Sequence, residues 1–350
     1  MSRLPAEWEP QRAVMLTWPH AGTDWALRLG EVEDLYRRLV RLISARQTVL
    51  IVCPDPVAHQ RIGRMLRAEL RSAGLPVDRL RLCIAPSDDT WARDHGPIAM
   101  VGDDGRAGLM DFRFNGWGSK YPARRDDAIT ATLHRAGCFG AAPLHRSALV
   151  LEGGAIDSDG AGSLLAVRRT LVDPARNPGW SEAAIAEELR QRLGIERVLW
   201  LEHGHITGDD TDGHIDTLAR FCDDRTICYA ASDDPADPDH AELAAMAAEL
   251  RGLRRRDGHP YRLVPLPQPR PILDEAGNRL PAGYANFLII NGAVLVPVYA
   301  DPADAVALTR LAGLFPYHSI EPLDCRPLIR QGGSLHCITM QLPAALPLPG

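Results

Sequence analysis

The sequence predicts a mixed α/β domain in which five like units close into a ring around a central cavity. Three observations predict it. A pattern of two short apolar runs joined by a tight polar turn, then a helical stretch, then another short apolar run recurs along the 350 residues. Such units cannot bury their own faces and must stack on neighbours, and closing the stack into a ring removes most exposed strand edges. Finally, the residues able to do chemistry cluster at the opening of each unit, where a ring brings equivalent positions together near its axis.

The elements follow in order. Residues 1–25 are rich in Trp and Pro, with Trp8, Trp18 and Trp25. Residues 30–46 set Val32, Leu35, Leu39, Leu42 and Ile43 on one helical face. Thr48–Cys53 reads as a buried strand and 56–73 as a basic amphipathic helix with a solvated arginine face. The first hairpin is Pro97–Val101 with Gly108–Phe114, around a Gly-Asp-Asp-Gly turn. The second pairs Ala155–Ile156 with Leu164–Val167, and the third pairs Ile215–Phe221 with Thr226–Tyr229. In the fourth, Phe287–Ile290 and Ala293–Val298 flank Asn291-Gly292, a type I′ signal. Helical stretches follow at about 125–136, 181–193, 238–254 and 302–312, and short strands at Ser147–Leu151, Arg197–Leu201 and Tyr261–Val264. A fifth unit opens at Cys337, where Ile338 and Met340 alternate with Thr339 and Gln341 as in a strand, and strands from the N-terminus complete it. Residues 1–350 therefore read as one domain, with 344–350 a loose tail.

Composition narrows the function classes. A net charge of -6 argues against bulk nucleic-acid binding and puts no obstacle in the way of a cationic ligand. No apolar run approaches the ~18 residues of a membrane span, and the N-terminus lacks an export signal. Seven cysteines without a CxxC pair suggest free thiols in a reducing cytoplasm, not a disulfide framework or zinc site.

The chemistry-bearing residues stand at unit openings: Trp91 and Asp94 before the first, Glu152 before the second, His214 and Asp216 at the third, Tyr284 and Asn286 at the fourth, Gly332 and Cys337 at the fifth. Each alone has a plain structural account. Asp94 suits a turn cap and Glu152 a simple ion pair. His214 and Asp216, two apart on a strand and so on one face, could be a buried hydrogen-bonded pair, and Cys337 a small core residue. Together they combine a thiol after a flexible Gly-Gly turn with an acid/base and three carboxylates. A metal alternative rests on His203, His205, Asp209 and Asp210, but Gly208 breaks the calcium-loop pattern and no Glu closes it. No phosphate-loop or dinucleotide motif is present, so no cofactor and no metal is expected. A negative pocket beside a thiol suits a planar guanidinium, whose N–H fork carboxylates grip two bonds at a time.

In order along the chain, WARDHGP, FNGWGSKY, LEGGAID, GDDTDGHID, YANF and GGSLHCIT resemble the motifs of the agmatine deiminase family, relatives of bacterial peptidyl-arginine deiminases in the guanidine-modifying pentein superfamily. The resemblance runs from about residue 5 to 343. It implies a five-bladed, pseudo-fivefold α/β propeller, the pentein fold, and hydrolysis of agmatine to N-carbamoylputrescine and ammonia, a step of putrescine biosynthesis. Carried over by motif, Cys337 would be the nucleophile, His214 the general acid/base, Asp94 and Asp216 the guanidinium grip, and Glu152 the carboxylate orienting His214 and substrate. The chain departs from the family pattern at His95, Gly116, Ser119, Asp212 and Thr217. These departures bear on the substrate's far end, for which Trp18, Trp91, Trp117 and Tyr284 are candidates, with Asn286 and Gly332 as further pocket residues. Deimination of free or peptide-terminal arginine and amidino transfer are rival activities, and a non-catalytic guanidine-binding propeller is the rival from another class. The expected partners are a small cationic guanidine, no nucleic acid and no membrane, with a homodimer allowed.

Overall fold

The structure, a computed structural model, describes residues 2–349. It is a mixed α/β fold whose strands form five small sheets among the described residues. Four of them share one connectivity: a short strand, an antiparallel return, a helix crossing back, and a parallel outer strand. They begin at Ile98–Gly102, Asp157–Ser158, Ala219–Phe221 and Leu288–Ile290. The outer parallel strands are Leu144–Val150, Arg197–Leu201, Arg262–Leu266 and Ser319–Asp324. In the fifth sheet Thr339–Pro343 runs antiparallel to Gln11–Thr17, which pairs in parallel with Thr48–Cys53 and through it with Leu80–Ile84. The last strand thus joins the early strand Gln11–Thr17 in one sheet, while Ser2–Arg3 pairs antiparallel with Ile98–Gly102 in another.

Local chemistry explains where the helices start and stop. Asp55 caps Pro56–Ser72 by accepting the Ala58 N–H at 2.8 Å, with proline in the first turn. Ser181 does the same for Glu182–Leu193, and Gly194 closes that helix at φ 66°. Helix Leu29–Ser44 buries Val32, Leu35, Leu39 and Ile43 of the stripe read from its spacing, with Tyr36 and Val40 besides, while Leu42 is only half-buried.

Several sequence expectations need correction. Glycine and polar residues bend the chain into short 3-10 turns at Gly153–Ala155, Ile215–Thr217 and His336–Ile338, where strands were expected. The strands start later, at Asp157, Ala219 and Thr339. His214 and Asp216 therefore do not share a strand face; His214 opens a tight turn and Asp216 lies within it. The Asn291-Gly292 turn is not type I′, because only Gly292, at φ 71°, is left-handed, while Asn291 is held by bonds of its side chain to Gln11 N and O. The tail is packed: Leu346 and Leu348 are buried in a cluster with Leu133 and Phe139. Cys83 and Cys138 form a disulfide, and the other five cysteines are free and buried. Their separation of 55 positions gives no local spacing signal, since tertiary packing alone brings them together. The inference of a reducing compartment from free thiols loses its basis there. No helix among the described residues is long and apolar enough to cross a membrane.

Candidate active site

The turns that displaced the expected strands build the site. Asp94 lies on the helical turn Ala92–His95, Glu152 at the mouth of the Gly153–Ala155 turn, His214 and Asp216 around Ile215–Thr217, and Cys337 within His336–Ile338. All five side chains are nearly inaccessible, with none more than 5% exposed.

Gly154 marks where three of them meet. A Cβ added there would lie 2.5 Å from His214 Nδ1, 2.8 Å from Asp94 Oδ1 and 3.2 Å from Asp216 Oδ2. Only the absence of a side chain lets an imidazole and two carboxylates crowd one point. The Gly154 N–H also donates to Asp94 Oδ1 at 3.1 Å, and Trp117 Nε1 donates to its Oδ2 at 3.0 Å. His214 Nε2 lies 3.3 Å from Glu152 Oε2, and Nδ1 lies 3.7 Å from Asp94 Oδ1 without a hydrogen-bond partner among the described residues. Cys337 Sγ is 3.9 Å from Asp216 Oδ2 and 3.3 Å from Asn286 Nδ2, which also donates to Asp216 O.

The electrostatics follow from burial and crowding. Burial would lower the His214 pKa, but Asp94 and Glu152 outweigh it and push the imidazole up to about 9. Asp94 is pushed up to about 6 by burial, opposed by His214, with Asp216 and Glu152 adding repulsion. Burial also pushes Asp216 up, yet the hydrogen bond and charge of His336 win and hold it below its ordinary value. The Cys337 thiol is raised well above its usual range by burial and then by Asp216 and Asp94. Without a ligand the site therefore favours a neutral thiol and an imidazolium.

A cavity of about 300 Å³ reaches Cys337 and Asp94 from the surface, lined also by Trp91, Trp117, Gly332 and Asp210. His214, Glu152 and Asp216 form the shell behind it. Gly332, at φ 83°, and Gly333 let the backbone pass close: a Cβ on Gly333 would lie 2.3 Å from the Trp91 ring. Two expected pocket aromatics are elsewhere. Trp18 is fully buried against Tyr36 and donates to Glu33, so it belongs to the core. Tyr284 packs on Tyr299 with its hydroxyl on Asp304, likewise outside the cavity lining. The carboxylates weighed as metal ligands are engaged locally: Asp209 accepts from Thr211 and Gly213, which shapes the loop delivering His214.

Sequence reasoning missed Arg176. This fully buried guanidinium bonds both oxygens of Glu152 at 3.0 and 2.9 Å, Asp173 and Asp212 at 2.8 Å, and Thr211 O at 2.8 Å. It ties Glu152 to the loop that carries His214. It lies in a connecting loop with no motif around it, so nothing in the spacing marked it. Glu7, which reaches the back of this centre, was missed for the same reason.

Comparison with known proteins gives a consistent set of likenesses. The family described as Porphyromonas-type peptidyl-arginine deiminase matches residues 3–343. The agmatine deiminase of Stutzerimonas stutzeri is 31% identical, with 97% of this chain and 95% of that one covered. A Porphyromonas gingivalis crystal structure described as a candidate arginine deiminase is 51% identical, covers 99% of both chains and superposes with a TM-score of 0.91. A C. jejuni agmatine deiminase with a cysteine-to-serine change and bound substrate is 34% identical, covering 98% of this chain and 96% of that one, with a TM-score of 0.88.

Proposed function

Because the chain belongs to the Porphyromonas-type peptidyl-arginine deiminase family, we propose that it hydrolyses a small guanidine, agmatine first, releasing ammonia and leaving N-carbamoylputrescine. The observation that carries this reading is the floor of the cavity. A thiol 3.9 Å from one carboxylate shares it with a second, and an imidazole meets both carboxylates at Gly154. Curated relatives named agmatine deiminase, similar over nearly their whole length, support it.

In the proposed mechanism the guanidinium enters between Asp94 and Asp216. Its positive charge cancels the carboxylate repulsion that holds the Cys337 proton in place, so the thiol releases that proton to solvent as substrate binds. The thiolate attacks the guanidine carbon, forming a C–S bond. The C–N bond to the departing nitrogen breaks, and His214 supplies its proton so that ammonia leaves. Glu152, clamped by Arg176, keeps the ring in place. Water then attacks the amidino-thioether and His214 takes one of its protons; the C–S bond breaks, the second proton passes to solvent, and the ureido product leaves with the thiolate restored.

The cavity wall favours a cationic tail. Asp24, Asp89, Asp210 and Asp274 line it. The two arginines on its wall are engaged, Arg279 with Asp237 at 2.7 Å and Arg330 with Glu275 at 2.8 Å. An amine tail therefore meets carboxylates, whereas an arginine carboxylate finds no free cation among the described residues on the wall. The likeness of the five sheets supports a five-bladed propeller with the cavity on its axis.

The test is ammonia release over agmatine, arginine and peptides ending in arginine, with calorimetric binding to a Cys337→Ala variant. The reading expects agmatine to be the best substrate, and the variant to bind it without releasing ammonia. Normal turnover by that variant removes Cys337 as nucleophile, and preference for arginine or peptides removes the amine-tail assignment.

A further inference from the structure

Behind Asp216 runs a buried chain of charges that the mechanism above does not use. His336 Nδ1 lies 2.7 Å from Asp216 Oδ2, and His336 Nε2 lies 2.7 Å from Glu7 Oε2. The same Glu7 oxygen accepts from Arg220 Nη2 at 2.7 Å, while Glu7 Oε1 accepts from Ile289 N at 2.7 Å. None of Glu7, His336, Asp216 and Arg220 is more than 5% exposed. Burying four ionisable groups without function is costly, because each must find a partner away from water.

The geometry has direction. A neutral imidazole donates from one nitrogen only, so a ring with a carboxylate oxygen at each nitrogen donates to both only as imidazolium. Held that way, His336 grips Asp216 Oδ2. The other oxygen, Asp216 Oδ1, is buried with no hydrogen-bond partner among the described residues. An orphaned carboxylate oxygen next to a cysteine 3.9 Å from its twin is an acceptor waiting for a donor. A guanidinium N–H supplies one.

We propose that Glu7, in the segment before the first long strand, is a positioning residue for the guanidinium site: it locks His336, which holds Asp216 with Oδ1 turned to the substrate. The proposal rests on the deiminase reading above. It also explains why residues 4–11 wrap under the site: Gln11 bonds Glu7 O and Ile289 O at 2.8 and 2.9 Å, fixing the Glu7 backbone where the side chain can reach His336.

The test is a double-mutant cycle. In the Cys337→Ala protein, agmatine affinity is measured by calorimetry for Glu7→Gln, Asp216→Asn and the pair. Gln keeps the shape and an acceptor for Ile289 but removes the charge. The expected result is a Kd raised at least tenfold by each single change and no more than twofold further by the pair, because both break one chain of contacts. The same cycle in kcat/KM, with Cys337 intact, extends the range should Asp216→Asn bind too weakly to measure. Losses that multiply, as a merely structural Glu7 gives, overturn the proposal, as does a Glu7→Gln Kd within twofold of the parent. If Glu7→Gln fails to fold, His336→Gln replaces it in the cycle with the same two outcomes. If the parent protein binds no agmatine and the wild type releases no ammonia from any guanidine, the deiminase reading fails first and this proposal falls with it.

Discussion

Replacing Gly154 with alanine adds one methyl group at the point where the site's polar groups meet. The backbone there is not left-handed, so alanine adopts it without torsional strain. The steric problem is the neighbours. Ordinary contact begins near 3.4 Å, whereas the new Cβ would lie 2.5 Å from His214 Nδ1 and 2.8 Å from Asp94 Oδ1. The imidazole must retreat by about 0.9 Å and the carboxylate by about 0.6 Å, displacements of the size that cost reacting groups about 100-fold in rate. That is about 2.7 kcal/mol of lost transition-state stabilisation. Overpacking costs the fold a further ~1–3 kcal/mol, which a large domain survives at 25 °C. The assay is kcat/KM for ammonia release from agmatine, with the unfolding midpoint measured alongside. Gly313→Ala is the control, since a Cβ there meets nothing within 4 Å. A folded Gly154→Ala protein with undiminished kcat/KM refutes the convergence of His214, Asp94 and Asp216 at that point.

The pH dependence has a definite sign. The productive pair holds one proton, on His214, but the free site holds two until the imidazole titrates near pH 9, so kcat/KM should climb about tenfold per pH unit from about 6 to 9 and then level. Below about 6 the slope should steepen as Asp94 also protonates; a profile falling between pH 7 and 9 contradicts the assignment. Because the folded pKa of His214 is raised, the stability it contributes is complete below its unfolded value near 6.5 and is lost as pH rises through about 9, which thermal melts at pH 7 and 10 should show for wild type but not for His214→Asn. Asp94→Asn should raise KM at least tenfold by removing one arm of the guanidinium grip, and an unchanged kcat/KM takes Asp94 out of the site. Arg176→Leu removes the buried guanidinium from Glu152, leaving it only the longer His214 contact, and should cost about 3–5 kcal/mol in denaturant unfolding. A loss below about 1 kcal/mol would mean that Glu152 does not depend on that partner.

Period and punctuation carried much of the architecture into the sequence. The helices at 181–193 and 302–312 and the strand Arg197–Leu201 could be read because capping residues and apolar spacing act locally. Asp94, Glu152, His214, Asp216 and Cys337 were legible because each sits beside glycine or a motif at a unit opening. What escaped is non-local. Arg176 and Glu7 gain their importance from partners 24 and 329 positions away, and nothing in their own neighbourhood announces them. The Cys83–Cys138 bond and the burial of Trp18 and Tyr284 were missed for the same reason, since an aromatic in a motif looks alike whether it faces a cavity or a core. The strands were expected to open at Ala155, Ile215 and Cys337, inside what are turns, because the apolar residues there continue into the strands that follow.

The pairing of Thr339–Pro343 with Gln11–Thr17 has a temporal meaning. Of the segments that converge on the cavity, the one bearing sulfur is the last to leave the ribosome, and the strand it docks on is among the first. A half-made chain can gather Asp94, Glu152, His214 and Asp216 before Cys337 exists. Sulfur joins them only when Thr339–Pro343 docks on a strand made long before it.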